Sequence, residues 1–202
     1  MDLKNLTTLI KSGKKVALYA PRRYGKSSIA KNILPYELKQ KNFVAIYCDF
    51  MGAETSTEIA YRLAKGIAEG LEEYLPTKSF YESAKKVIKN LSFSLDPNPI
   101  TGEVSFNLSS KKGDAPNIDQ LLKSLYFIAE SYHCLFIFDE FQDLHSSKDS
   151  LGLLRSELQK FKKTPMLFLG SKRWLLSEIF NSHHSPFFNF ADEYILKPIP
   201  IE

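Results

Sequence analysis

Short apolar runs alternate along this chain with longer amphipathic segments, and the two periods predict strands and helices in turn. Buried strands are predicted at Val16–Ala20, Phe43–Asp49, Cys134–Asp139, Met166–Gly170 and Glu193–Leu196. Helices are predicted at Ser27–Leu34, Thr55–Tyr74, Phe80–Leu91, Leu121–Ile128, Leu151–Phe161 and Trp174–Phe180. Pro35 is expected to end or kink the first helix. The alternation predicts an α/β fold whose mainly parallel sheet carries helices on both faces.

Residues 92–108 change from a helical to an alternating period. The segments LSFSL and VSFNL flank the turn sequence Asp-Pro-Asn-Pro-Ile-Thr-Gly. This pattern predicts a β-hairpin with a long turn, inside an insertion that covers about residues 76–116. Phe93 and Phe106, with Lys111 and Lys112 nearby, are suited to binding nucleic acid, but packing of the two rings on the hairpin's own helix is favoured.

The composition is that of an ordinary globular chain. Its 202 residues are 44% hydrophobic and 25% charged, which suits one core domain over residues 1–202 and excludes a disordered chain. No apolar run approaches the length of a membrane-spanning helix, and the first residues carry no secretory signal. Cys48 and Cys134 form no disulfide framework, so we expect a cytoplasmic protein with no membrane partner.

Positive charge is concentrated near the start of the chain. The formal net charge is +4, yet residues 1–34 carry eight basic side chains against one acidic side chain. Residues 35–202 are therefore slightly acidic, with a net charge of −3. A local positive field attracts an anion, such as a phosphate, a nucleic acid or an acidic partner.

A phosphate-binding pattern lies between the first predicted strand and the first predicted helix. The sequence APRRYGKS fits the P-loop pattern with alanine at the first glycine position. Gly25 permits close approach of the backbone to a phosphate, Lys26 is expected to reach the β- and γ-phosphates, and the Ser27 hydroxyl is expected to bind Mg²⁺. The candidate nucleotide-binding residues are Ala20, Pro21, Arg22, Arg23, Tyr24, Gly25, Lys26, Ser27 and Ser28. For the two arginines, solvation in a surface loop or contact with a neighbouring subunit are the alternatives.

An acidic pair follows the most apolar strand. Asp139 and Glu140 come directly after Leu135–Phe138, and a parallel strand delivers them to the sheet edge at which the P-loop lies. We expect Asp139 to hold magnesium through water and Glu140 to act as the general base on the attacking water. The long separation between Lys26 and Asp139 favours ATPases over small nucleotide kinases.

Other polar residues end strands at the same predicted edge. Ser171 follows the strand Met166–Gly170 and is expected to contact the γ-phosphate, as a sensor. Arg173 or Lys172 is a candidate cation for the transition state, with a solvated helix start as an equally good reading. Asp49 is a candidate for the magnesium shell, although capping of the following turn is favoured.

A zinc site is not expected. His183 and His184 are adjacent and therefore point in different directions, and neither cysteine has a partner at ligand spacing.

The segments YAPRRYGKSS, FIFDEFQDL, FLGSKRWLLSEIF and SPFFNFADEYILKPI resemble the archaeal-type ATPase family of the AAA+/STAND branch of P-loop NTPases. The resemblance implies a three-layer α/β/α sandwich with a five-stranded core sheet, ATP and Mg²⁺ as ligands, and an ATP-driven conformational switch. Relatives usually continue into a helical lid and a winged-helix domain. The chain ends at Glu202, just after the last predicted core strand, so neither domain is expected within residues 1–202.

These observations predict slow Mg²⁺-dependent hydrolysis of ATP, coupled to an unidentified protein partner or to a C-terminal lid and winged-helix region. One alternative is an interaction module that binds nucleotide without significant hydrolysis, because Ala20 replaces a glycine and the lid is not expected. A second alternative is a DNA-associated ATPase, which the net charge of residues 35–202 does not favour. The oligomeric state stays open.

Overall fold

The computed structural model describes residues 3–21, 23–38, 43–74, 94–97, 104–107 and 117–196. The helices are α1 (Leu3–Lys11), α2 (Lys26–Ser28), α3 (Leu34–Leu38), α4 (Ser56–Tyr74), α5 (Ile118–Ser131), α6 (Lys148–Leu158) and α7 (Arg173–Asn181). A π-helical turn at Ile29–Ile33 joins α2 to α3, and a 3-10 helix covers Phe141–Ser146. The strands are β1 (Lys15–Tyr19), β2 (Phe43–Asp49), β3 (Ser94–Pro97), β4 (Val104–Asn107), β5 (His133–Asp139), β6 (Met166–Gly170) and β7 (Asp192–Ile195).

Five of these strands form one parallel sheet in the order β2–β5–β6–β1–β7. The predicted α/β fold with a parallel sheet is therefore confirmed. Because all five strands run the same way, the residues that follow β1, β5 and β6 emerge at one edge of the sheet. The order places β6 between β1 and β5, so the residue after β6 lies between the loop after β1 and the acidic pair after β5.

Side chains of the central strands alternate between two cores, one on each face of the sheet. On β5, Phe136 and Phe138 enter the core formed with α4, α5, α6 and α7, whereas Leu135 and Ile137 enter the core formed with α1, the π-helical turn and α3. Both faces are thus covered by helices, as the three-layer prediction requires. Each fully buried phenylalanine contributes about 1.5–3 kcal/mol of hydrophobic stabilisation, so these two cores hold the sheet edge in place.

Helix α1 was not among the predicted elements. Leu6 and Ile10 lie four residues apart on its buried side, and both pack into the core shared with the π-helical turn and α3. Leu3, Leu6 and Ile10 recur at spacings of three and four residues, so the amphipathic period is present in this segment and was overlooked. The helix leads directly into β1 and covers that face of the sheet.

Pro35 does not end the helical path, which continues through α3 to Leu38. In the turn before Pro35, the Leu34 N–H donates to the carbonyl of Ile29, five residues earlier. An α-helix would bring the proline ring against the carbonyl four residues before it, and the wider π turn is a known way to change that spacing. The alternative in which Pro35 ends this helix is therefore wrong, and a π turn distorts the helix directly before the proline.

The predicted hairpin is confirmed by antiparallel pairing of β3 with β4, in which Leu95 lies opposite Phe106. The predicted helix Phe80–Leu91 lies outside the described residues, as do Phe93, Lys111 and Lys112. Within the described ranges, no helix combines the length and the apolar character that crossing a bilayer demands.

Candidate functional site

The loop between β1 and α2, here called the glycine loop (residues 20–25), opens a concavity at the carboxyl edge of the sheet. Gly25 has a φ of 74° and directly precedes α2. A Cβ at this position would meet no atom within 4 Å, so the requirement for glycine is one of backbone conformation and not of space. The concavity has a volume of about 260 Å³ and is lined by Pro21, Arg23, Gly25, Lys26, Ser27, Ser28, Glu140 and Ser171.

Lys26 reaches from the start of α2 to both members of the acidic pair. Its Nζ lies 2.9 Å from Oδ1 of Asp139 and 3.1 Å from Oε1 of Glu140. Residues that are 113 positions apart in the sequence are thereby joined by a buried ion pair at the rim of the concavity. The arrangement places a cation, a hydroxyl and two carboxylates beside the glycine loop.

Asp139 is almost fully enclosed, with 2% of its surface exposed. Its Oδ2 accepts hydrogen bonds from Ser27 Oγ at 2.6 Å and from the Tyr47 hydroxyl at 2.5 Å. Its Oδ1 accepts from the Glu140 backbone N–H at 2.9 Å, in addition to Lys26. The carboxylate is therefore held through both oxygens.

Opposing effects act on the pKa values of the ion pair. Burial alone lowers the pKa of Lys26, but its hydrogen bonds to Asp139 and Glu140 and their negative charges outweigh burial, so its pKa lies above the usual value. Burial likewise raises the pKa of Asp139, yet the hydrogen bonds from Lys26, Ser27 and Tyr47 bring that pKa below its ordinary value. Both groups are consequently charged at neutral pH.

Glu140 stands at a strained turn between β5 and the 3-10 helix. Its φ of 49° and ψ of 39° place it in the left-handed region, which a non-glycine residue adopts at some cost. The turn directs its carboxylate into the concavity, where Oε2 accepts from Ser171 Oγ at 2.9 Å and from Gln142 Nε2 at 2.5 Å. Ser171, which follows β6, thus reaches the acidic pair as well as the concavity.

Two residues of the site were missed by the sequence analysis. Tyr47 lies on β2, opposite Ile137 of β5, and its hydroxyl reaches Asp139 along the face that carries α2 and α3. Burial, followed by the hydrogen bond to Asp139, raises the pKa of Tyr47, which keeps the phenol protonated as a donor. Gln142, in the segment FIFDEFQDL, follows the acidic pair by two residues and carries no motif signal of its own.

The remaining candidate residues lie at the margin of the site. Arg173 is exposed at the first turn of α7, with its guanidinium carbon 5.7 Å from the centre of the Tyr19 ring, and it is not among the residues that line the concavity. Tyr24 is exposed, Ala20 is buried at the end of β1, and Arg22 lies outside the described residues. Asp49 accepts a hydrogen bond from the backbone N–H of Met51 at 2.9 Å, so it caps the turn after β2. This is the alternative that the sequence favoured.

Hard oxygen donors suited to Mg²⁺ meet beside the glycine loop. Ser27 Oγ and the Asp139 carboxylate touch each other, and Mg²⁺ bound with a nucleotide needs few protein ligands because phosphates and water complete its coordination. The residues present therefore fit the ion. Among the described residues, no group of three or more His, Cys, Asp and Glu side chains is placed to hold a metal by itself.

Comparison with known proteins gives no match to a family model and none to a curated protein. Solved structures do match. A Walker-type ATPase of Pyrococcus abyssi has 21% identity and a TM-score of 0.53, covering 92% of this chain and 49% of that one. The Aeropyrum pernix ORC2 protein, described in ADPNP–ADP complexes, has 14% identity and a TM-score of 0.54, covering 96% and 47%. The Aeropyrum pernix ORC1 protein, described in complex with DNA, has 13% identity and a TM-score of 0.54, covering 98% and 44%.

The likeness is one of fold. The five-stranded parallel sheet with helices on both faces is the fold of P-loop AAA+ ATPases, to which these structures belong. The chain spans about half the length of the structures that it matches.

Proposed function

We propose that this chain binds ATP with Mg²⁺ and hydrolyses it slowly to ADP and phosphate, as a nucleotide-driven conformational switch. The observation that carries the proposal is the contact of Lys26, at the end of the glycine loop, with both Asp139 and Glu140 beside an open concavity. A triphosphate in that concavity would meet the backbone of the glycine loop and the first turn of α2, where N–H groups favour anions.

Each residue then has a separate task. Lys26 leaves its two carboxylate partners to bind the β- and γ-phosphates, because phosphate oxygens compete for the same cation. Ser27 and Asp139 hold Mg²⁺, which when bound neutralises charge on the phosphates. Glu140 accepts a proton from the water that attacks the γ-phosphorus, and the bond between that phosphorus and the ADP oxygen breaks. Ser171 contacts the γ-phosphate, and Arg173 adds positive charge at the rim.

The choice of ATP over GTP and the kind of partner are supported by observations other than the geometry of the site. ATP is favoured over GTP by the resemblance of the motifs to archaeal-type ATPases and by the ADPNP–ADP complexes described for the Aeropyrum pernix ORC2 protein. A protein partner, or a C-terminal lid and winged-helix region, would receive the change in nucleotide state. We place the protein in the cytoplasm, which is consistent with the free thiols of Cys48 and Cys134.

A DNA-associated ATPase is the second candidate, favoured by the DNA complex described for the Aeropyrum pernix ORC1 protein. It predicts salt-dependent retention of DNA by this chain, unchanged by Lys26→Ala. The slightly acidic character of residues 35–202 weighs against it.

The deciding experiment compares phosphate release from Mg·ATP by the wild-type chain and by Glu140→Gln, with binding of a fluorescent ATP analogue measured in parallel. We expect the variant to bind the analogue normally and to lose turnover by about 10²–10⁴-fold, the usual contribution of a general base. Glu178→Gln, at an exposed glutamate of α7, is the matched control and should leave both quantities unchanged. Binding without turnover in the wild type would instead support the interaction module without hydrolysis.

A further inference from the structure

The two oxygens of the Glu140 carboxylate have different kinds of partner. Oε1 contacts the Lys26 ammonium alone, at 3.1 Å, among the hydrogen bonds of the described residues. Oε2 accepts from Ser171 Oγ at 2.9 Å and from Gln142 Nε2 at 2.5 Å. Lys26 is expected to move to the phosphates when nucleotide binds, and Ser171 lines the concavity, where it is expected to face the γ-phosphate. Gln142, by contrast, is buried in the 3-10 helix and does not line the concavity.

Gln142 is a buried donor in the 3-10 helix, with 1% of its surface exposed. Its Nε2 donates to Glu140 Oε2 and also lies 3.1 Å from Oδ1 of Asp143. The two N–H bonds of the amide thus have one carboxylate each, and charge-assisted hydrogen bonds of this kind are stronger than neutral ones. The neighbouring Phe141 and Leu144 side chains are fully buried and fix the helix that carries the amide.

The other end of the same amide has no partner. Gln142 Oε1 is buried and accepts no hydrogen bond, and it faces the backbone of Gly170, where a Cβ would approach it to 2.6 Å. If the amide were reversed, its nitrogen would face Gly170 and its carbonyl oxygen would face the two carboxylates, which repel it. An unpaired buried carbonyl lowers stability, so packing alone does not explain a glutamine at this position.

We propose that Gln142 is a positioning residue that anchors Oε2 of Glu140 and leaves Oε1 as the atom that accepts the proton from water. The inference rests on the proposed ATPase function and deepens it. When Lys26 turns to the phosphates, Oε1 loses its donor and becomes free to accept a proton. Oε2 keeps the Gln142 amide as a donor even when Ser171 turns its single hydroxyl hydrogen to the γ-phosphate, so the carboxylate holds its direction during that exchange.

The test uses Gln142→Met, which keeps the length of the side chain and removes both N–H donors. Because Gln142 does not line the concavity, KM and the affinity for the fluorescent ATP analogue should stay within about twofold of wild type. The kcat should fall about tenfold, less than in Glu140→Gln, because the base remains but is poorly directed. The melting temperature should change little, because loss of the two charge-assisted hydrogen bonds is offset by removal of the buried unpaired carbonyl.

The double variant Glu140→Gln/Gln142→Met separates positioning from general damage. If Gln142 acts through Glu140, the double variant should have the same residual kcat as Glu140→Gln alone. Gln159→Met, at an exposed glutamine after α6, is the control for the substitution itself and should change nothing.

Three results would overturn the inference. An unchanged kcat in Gln142→Met beside an active wild type would refute the positioning role and leave the ATPase proposal intact. A fall in kcat accompanied by a lower melting temperature and weaker nucleotide binding would show a structural role only. Absence of phosphate release by the wild-type chain, which is measured first, would overturn the proposed function and this inference with it.

Discussion

The two sides of the candidate site are built differently. The glycine loop exposes Arg23 and Gly25, both with positive φ, and its backbone bond from Tyr24 to Pro21 is long, at 3.4 Å. The acidic segment (residues 139–146) is packed against aromatic side chains of the core. The ring centre of Phe141 lies 4.8 Å from that of Phe168 and 5.2 Å from that of Phe187. One side therefore presents open backbone to a ligand, and the other holds its carboxylates against a rigid aromatic core.

Under the proposed function, this difference would divide nucleotide binding from catalysis. A phosphate group needs N–H donors and charge that can approach it from several directions, which an open loop supplies. A general base needs a fixed direction, because small misplacements of the reacting atoms cost much of the rate. Lys26 joins the two sides, and its exchange of partners is the step that would connect nucleotide binding with the acidic segment.

Removing that connection should have the largest effect. Lys26→Ala leaves the buried Asp139 without its cation, so we expect the free energy of unfolding to fall by about 3 kcal/mol, together with loss of nucleotide binding. Denaturant unfolding and titration with the fluorescent ATP analogue measure the two effects.

Two further variants serve as controls for Lys26→Ala. Lys14→Ala breaks an exposed ion pair with Asp192 and should cost less than about 1 kcal/mol. Adding Asp139→Asn to Lys26→Ala removes the unpaired charge, so stability should recover while binding does not. Tight ATP binding by Lys26→Ala would contradict the assignment of the site.

The sequence was sufficient to predict the sheet because its central strands are buried on both faces and read as continuous apolar runs. The bounds predicted for Phe43–Asp49 and Met166–Gly170 are those observed. The order of the strands depends on which helices cross which face, and the sequence periods do not specify that choice. Helix α1 was predictable, because Leu3, Leu6 and Ile10 recur at helical spacing. The π turn before Pro35 was not, because backbone geometry and not side-chain period decides it.

The candidate site was predictable only as far as its residues form a motif. The structure brings Lys26, Ser27, Asp139 and Glu140 together at one sheet edge, and their chemical roles stay predictions. Tyr47 and Gln142 could not be found in the same way, because each contributes through a neighbour. Tyr47 reaches Asp139 because β2 lies beside β5, and Gln142 reaches Glu140 because a left-handed residue turns the chain into a 3-10 helix.

Crowding the packed side should have an intermediate effect. In Gly170→Ala, the new Cβ would lie 2.6 Å from Gln142 Oε1 and 3.1 Å from a Leu176 methyl carbon, so the Gln142 amide must shift. We expect a loss of about 1–3 kcal/mol in stability, measured by denaturant unfolding, and a lower kcat because the amide moves away from Glu140.

The double variant Gly170→Ala/Gln142→Ala tests the cause of that loss. Removing the amide should relieve the clash, so the two changes should cost less together than the sum of the single changes. Purely additive costs would show that Gly170 does not constrain Gln142.

Straining the open side should have the smallest effect on stability. In Gly25→Ala the new Cβ meets nothing within 4 Å, so only the left-handed backbone opposes it, at a cost of about 1–2 kcal/mol. Gly52 is a matched control, with a φ of 69° and the same open surroundings, in the loop after β2. Both alanine variants should lose similar stability, but only Gly25→Ala should weaken binding of the fluorescent ATP analogue, because only Gly25 lies in the concavity. Equal weakening of nucleotide binding by both variants would show that the glycine loop has no special part in holding phosphate.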